Sequence, residues 1–128
     1  MVIILNLDTE KSNQIIDITS LINKNITIES GIAVIYSPHT TAGLTINESA
    51  DSDVKSDFLK SFNDIVRELD FKHMEGNSSS HVKTSITGKS LNIIIEKNRL
   101  KLGTWDGVYF CEFDGPRNRK IWLKQMSD

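Results

Sequence analysis

Cysteine is almost missing from this 128-residue chain: Cys111 stands alone. No disulfide can close within the chain, and no thiolate metal cluster can be built. Charge of one sign is lacking as well. The formal net charge is −2, which excludes a sequence-independent grip on nucleic-acid phosphates, so nucleic acid is not an expected partner. Only a local basic patch is left, where Arg117, Arg119, Lys120 and Lys124 lie close together. There is no long apolar run. The opening stretch, MVIILNLDTEKSN, has no basic region ahead of a short apolar segment. That argues against a signal peptide or a membrane span, so no membrane contact is expected and the cytoplasm is the expected compartment. Internal repeats, low-complexity tracts and linkers are also lacking. A length of 128 residues leaves room for one domain, 1–128, around one core. Hydrophobic residues make up 38% and charged residues 25%, which suits a soluble globular chain rather than a disordered one.

What is present is patterned. Val2 to Leu7 is apolar and partly β-branched, a strand. Asp17 or Thr19 caps a short helix from Leu21 to about Ile28, ended by Gly31. Ile32 to Ser37 reads as a buried strand. Thr41 to Asn47 alternates: Ala42, Leu44 and Ile46 face one way, and Thr41, Gly43, Thr45 and Asn47 the other. If His39 extends this strand it joins the polar set, whose small side chains leave room for a ligand. Ser52 to about Leu69 is an amphipathic helix with Val54, Phe58, Leu59, Phe62, Ile65, Val66 and Leu69 on its apolar side, and it reads as a covering layer. Ser79 or Ser80 caps a helix running to Thr87, stopped by Gly88. Leu91 to Glu96 is a strand, and a turn lies within Asn98 to Gly103. Gly107 to Phe113 and Lys120 to Lys124 are strands joined by a tight Asp114–Asn118 loop. Strands that follow one another without helices between them predict an α+β fold: a single compact domain with a mostly antiparallel sheet covered by two or three helices.

The chemically capable residues gather in three polar stretches. His39 opens SPHTTAGLTINES, His73 and His81 flank GNSSSH, and Gly103 to Lys120 is rich in carboxylates, amides and arginines. One composite site assembled from three segments is the expectation. His39, His73 and His81 could hold Zn²⁺ or another transition metal; the alternative is one surface histidine and two hydrogen-bonded ones. Glu48, Glu112 and Asp114 are candidates for acid–base work or metal ligation, with an ion pair to a nearby arginine the simpler role for Glu112. Arg117 and Arg119 carry forks suited to phosphate, Thr104 offers a hydroxyl, and Ser78 to Ser80 offer donors at a helix start. Alternation points Arg119 inward with Ile121 and Leu123. One arginine should therefore pair with Asp114 or Glu112, and the other, Arg117, should face the site. Cys111 is buried and inert mid-strand. Trp105 and Trp122 read as packing residues.

With these motifs placed, the chain resembles the YjbQ family, also called the secondary thiamine-phosphate synthase family. The similarity rests on Ser37 to Glu48, on Asn77 to His81 followed by Gly88, on Gly103-Thr104-Trp105 and on Glu112 to Arg119. It covers essentially the whole chain. It implies a homotrimer and a weak activity that joins a pyrimidine diphosphate to a thiazole phosphate, releasing pyrophosphate. Taken with the residues above, it implies catalytic roles for His39, Glu48 and Asp114. It implies substrate or anion binding by Thr41, Asn47, Asn77, Thr104, Arg117 and Arg119, and a metal at His39, His73 and His81. Asp106 departs from the family's usual glutamine and puts a negative charge beside Thr104. Mg²⁺ favours oxygen ligands, so a metal at the histidines would be zinc or another transition ion. Two other readings stay open: a metal-dependent hydrolase or lyase, and a non-catalytic trimeric module that binds a small anion.

Overall fold

Eight strands and three helices arrange themselves as two antiparallel sheets with a helical cover. The computed structural model describes residues 1–128. In chain order the elements are β1 (Val2–Asp8), β2 (Gln14–Asp17), α1 (Thr19–Lys24), β3 (Gly31–Tyr36), β4 (Ala42–Glu48), α2 (Ser52–Ile65), α3 (Ser78–Thr87), β5 (Ser90–Glu96), β6 (Arg99–Leu100), β7 (Asp106–Glu112) and β8 (Asn118–Ser127). One sheet has the order β1-β8-β3-β5-β6, and the other β2-β7-β4. Every pairing is antiparallel.

The main core fills the space between the sheets. Leu5, Ala33, Ile35, Ile93, Ile95, Ile121 and Leu123 from the larger sheet meet Ala42, Leu44, Val108 and Phe110 from the smaller one, and α1 closes the end with Ile22. Alternation along each strand produces this, since every second side chain faces the same way. The smaller sheet has a second apolar face, Ile15, Tyr109, Cys111 and Phe113, which Phe58, Leu59 and Phe62 of α2 cover. The polar set of β4 therefore meets protein rather than ligand: Thr45 and Asn47 lie beside Val54, Lys55 and Phe58. Gly43 is required by α3, because a Cβ there would run into Thr87 Oγ1 and the Gly88 carbonyl.

Several local expectations are revised. The first helix stops at Lys24, not Ile28, and residue 18 occupies its N-cap position without a side-chain bond. Asp17 Oδ1 still accepts from the Thr19 amide and hydroxyl. α2 ends at Ile65, which leaves Leu69 65% exposed. Asn77, not Ser79 or Ser80, precedes α3, while Gly88 at φ +86° ends it as expected. Lys97 and Asn98, both at positive φ, form the β5–β6 turn. Trp105 and Trp122 are exposed, although Trp122 lies against Tyr36. Trp122 belongs to the outward face of the larger sheet, which also shows Val2, Ile4, Ile32, Ile94 and Met126 to solvent. No helix is long and apolar enough to cross a membrane.

Candidate functional site

The register of β4 against β7 divides the predicted site residues into two groups. Ala42 pairs with Glu112 at one end, and Glu48 with Asp106 at the other. Seven strand residues at about 3.3 Å each separate those ends by roughly 20 Å. Thr41, Asp114 and Arg119 gather at the first end. Asn47, Glu48 and Thr104 belong to the second. Within one chain those three do not reach the others, which corrects the expectation of a single site built from all three polar stretches. Asn47 Oδ1 takes the Glu48 amide. The Glu48 carbonyl takes the Tyr109 hydroxyl. Thr104 lines a separate groove with Lys97, Arg99 and Lys101.

At the first end is an open cleft of ≈ 390 Å³ with no hydrophobic lining. That volume is ample for a small phosphorylated molecule. Its walls are Pro38, His39, Thr40 and Thr41 from the β3–β4 connection, His73 and Glu75 from the α2–α3 connection, Asn77 and His81 at the start of α3, and Asp114, Arg117 and Arg119. Eight of these were expected; Asn77 and the three histidines are among them. Pro38, Thr40 and Glu75 were not singled out, although Thr40 adjoins His39 in sequence.

The floor is a buried ion pair. Arg119 Nε and Nη2 donate to Glu112 Oε2 and Oε1 at 2.7 and 2.5 Å, with side chains only 3% and 0% exposed. The carboxylate is completed by the Thr9 hydroxyl and the Asp114 amide. Arg119 Nη2 also donates to Thr41 Oγ1 at 2.8 Å. Thr41 thus acts as a strut for the guanidinium and keeps its own hydroxyl proton free. Arg117 is not the unpaired arginine that was expected. Its Nε donates to the Asp114 carbonyl and its Nη2 to Asp114 Oδ2 at 3.2 Å. The pair is exposed, however, and Arg117 keeps donors that face the cleft. Asp114 Oδ2 also accepts from Asn77 Nδ2, so its role is to orient these two rather than to stand free as an acid or base. Asn77 Oδ1 is enclosed and has no partner.

The histidines separate. His73 and His81 form an edge-on pair with ring centres 5.3 Å apart. Two imidazoles sharing one tetrahedral zinc ion, with Zn–N near 2.0–2.1 Å, would sit roughly 5 Å apart, a spacing this pair matches. Asn77 and Glu75 lie along the same wall. No three His, Cys, Asp or Glu side chains converge tightly enough to hold an ion. His39 does not join that pair. It lies in the loop before β4, not on the strand, and its Nε2 accepts the Lys120 amide at 2.8 Å. Burial and the Arg119 guanidinium hold the His39 ring below its ordinary pKa. Cys111 takes no part, and burial pushes its thiol up to about 12.

A family model described as "UPF0047 protein YjbQ-like" matches residues 3–128. The UPF0047 protein YugU of Bacillus subtilis is 51% identical over 128 residues, covering 95% of this chain and 96% of that protein. The UPF0047 protein MJ1081 of Methanocaldococcus jannaschii is 46% identical over 124 residues, covering 94% and 90%. Among solved structures, a conserved YjbQ/UPF0047 family protein from Clostridium acetobutylicum superposes with a TM-score of 0.92 at 49% identity, covering 97% of this chain and 99% of that one. The protein TT1486 of Thermus thermophilus shares the fold at 35% identity, also with a TM-score of 0.92.

Proposed function

The chain belongs to the YjbQ-like UPF0047 family, and we propose that it is a cytoplasmic enzyme acting on a small phosphorylated molecule, of low thiamine-phosphate synthase-like activity. One observation carries this reading: two arginines, three histidines and the start of α3 converge on a single cleft without apolar lining. Phosphate oxygens suit such a surface, because guanidinium forks, hydroxyls and unpaired helix amides all donate. Arg117 and the Thr40 and Thr41 hydroxyls are the groups placed to grip the anion. Arg119, clamped by Glu112 and Thr41, supplies fixed charge beneath it. In the transferase version, the thiazole nitrogen forms a bond to the pyrimidine methylene carbon as the carbon–oxygen bond breaks. Pyrophosphate leaves with the electron pair. Donors fixed beforehand lower the barrier where that charge collects.

His73 and His81 would hold a divalent transition ion, with Asn77 or Glu75 beside them. Bound there, it would supply further positive charge for the leaving group. The proposed assembly is a homotrimer. Its support is the exposed apolar face of the larger sheet, where Ile4, Ile32, Ile94, Trp122 and Met126 lie open; surfaces of this kind mark association sites. Asn47, Glu48 and Thr104 enter a site only if a neighbouring copy brings them to it.

Incubating the protein with the pyrimidine diphosphate and the thiazole phosphate, with and without Zn²⁺, tests the reading. Thiamine phosphate and pyrophosphate should appear in equal amounts, and Arg117→Ala should slow both. Tight pyrophosphate binding without turnover would turn the reading into an anion-binding module. No binding at millimolar pyrophosphate would end it.

A further inference from the structure

We infer that His39 serves the cleft as a fixed neutral hydrogen-bond donor, its Nδ1–H directed at an oxygen of the bound anion, and is neither a metal ligand nor a base; this rests on the anion reading of the cleft. β3 pairs with β8 from Gly31 opposite Ser127 to Tyr36 opposite Trp122, and there it stops. Lys120, two residues further along β8, has no strand partner on that side. The chain turns at Ser37-Pro38, and the His39 ring takes the vacated place: Lys120 N–H donates to Nε2 at 2.8 Å. A buried backbone amide without an acceptor costs free energy, so the bond fixes the ring's orientation.

It also fixes the proton. A nitrogen that accepts from an amide carries no hydrogen of its own, so the proton of the neutral ring is on Nδ1. An imidazolium would turn an N–H against the Lys120 N–H. The surroundings agree on balance: burial first, then Arg119 and Lys89, favour the neutral ring and outweigh the groups, Glu112 chief among them, that favour the charged one. Nδ1 has no partner in the chain and is not among the enclosed, unsatisfied atoms. Since His39 lines the cleft, that open donor is offered to whatever binds there. The ring's lone pair is committed to Lys120. A metal at Nδ1 would have to displace the proton and leave an imidazolate, and a base has no lone pair on the side of the substrate. The three histidines therefore split two and one, with His73 and His81 retaining free nitrogens.

The ring protonation can be read directly from two-bond ¹⁵N–¹H correlations on the labelled protein at pH 7. His39 should show hydrogen on Nδ1 and a bare Nε2, and Nδ1 should shift when inorganic pyrophosphate is added. Zn²⁺ should perturb His73 and His81 and leave His39 in place. His39→Gln and His39→Met are the informative pair. Both can accept from Lys120, glutamine through its carbonyl and methionine weakly through its thioether, but glutamine keeps an amide donor for the cleft and methionine has none. Both variants should stay folded; pyrophosphate should bind His39→Met about 10- to 100-fold more weakly than the parent, and His39→Gln less weakly than that. Equal affinity in His39→Met, a hydrogen on Nε2, or Zn²⁺ bound to His39 would each overturn the assignment and leave the anion reading standing. A parent protein that binds no pyrophosphate overturns both together.

Discussion

Arg117 and Arg119 stand two residues apart, and so do their partner carboxylates, Asp114 in the loop and Glu112 at the end of β7, yet the two pairs live in different solvents. Arg119–Glu112 is sealed, at 3% and 0% side-chain exposure, whereas Arg117–Asp114 is 51% and 28% exposed. The difference comes from β8, which begins at Asn118. Arg119 is the first inward residue of that strand, in line with Ile121 and Leu123, and Arg117 still belongs to the turn. A buried pair cannot release its charge to a ligand without leaving its partner unpaired. An exposed pair can. The cleft thus has a rigid charged floor and an adjustable charged rim made from the same two residue types.

Breaking the sealed pair should have the largest effect. Glu112→Ala strands a buried guanidinium and should destabilise the protein by about 3–5 kcal/mol, read as a lower urea midpoint. The double variant Glu112→Leu with Arg119→Met removes both charges and should recover most of that loss. A single-variant cost below about 1 kcal/mol would mean the pair is not desolvated, and the contrast with Arg117–Asp114 would collapse.

The next effect sharpens the contrast through the loop that links the pairs. A Cβ on Gly115 would meet the Lys11 carbonyl, lie 2.8 Å from Thr9 Oγ1 and 2.9 Å from Glu112 Cγ. Gly115→Ala should therefore cost about 1–3 kcal/mol. Thermal unfolding of Gly115→Ala alone and in the Glu112→Leu, Arg119→Met background checks this. The penalty should persist in that background, because the nearest atom is the Lys11 carbonyl oxygen and leucine keeps a Cγ at residue 112; a penalty that vanishes there would place the strain in the sealed pair itself.

Much of this was legible in the sequence, and the failures share a cause. A continuous apolar run located β3, although one of its faces proves open, with Ile32 45% exposed; alternation located β4 and put Arg119 of β8 inward. Gly88 ended α3 where it stood. β2 escaped notice because Gln14–Asp17 is four residues with a single buried side chain, Ile15. The stretch from Gly103 to Lys120 read as one polar cluster, but β7 runs through the middle of it. A seven-residue strand carries Thr104 and Asp114 to opposite ends of the molecule, about 20 Å apart. That separation was available from strand length alone. What no pattern could show was His39, whose partner is a backbone amide 81 positions away.

A pH series separates His39 from the pairs. Its ring is held below the ordinary value of 6.5 by burial first and by Arg119 second. The unfolded chain therefore takes up this proton before the folded one does. Stability linked to His39 is fully present above about pH 6.5 and is lost as pH falls through the lower folded value. His39→Gln removes that contribution, so its urea midpoint should fall less than the parent's between pH 7.5 and pH 5. Parallel curves would mean the ring charges freely in the fold.

The smallest stability effect belongs to the exposed pair. Arg117→Ala removes a partly solvated ion pair, worth about 0–1 kcal/mol in such settings. The loop should hold without it. Thr9 still accepts the residue-117 amide through its hydroxyl, Asn77 still holds Asp114, and Glu112 still binds the Asp114 amide. Binding should respond differently. A guanidinium that donates to a phosphate contributes about 1.5–3 kcal/mol, so pyrophosphate affinity should drop about 10- to 150-fold. Calorimetric titration beside a thermal melt reads both quantities on one sample. Lost affinity with an unchanged melt places Arg117 at the rim as an anion donor held in reserve by Asp114. Unchanged affinity would leave the two arginines alike in function as well as in type, and the burial difference between them would have no consequence for the cleft.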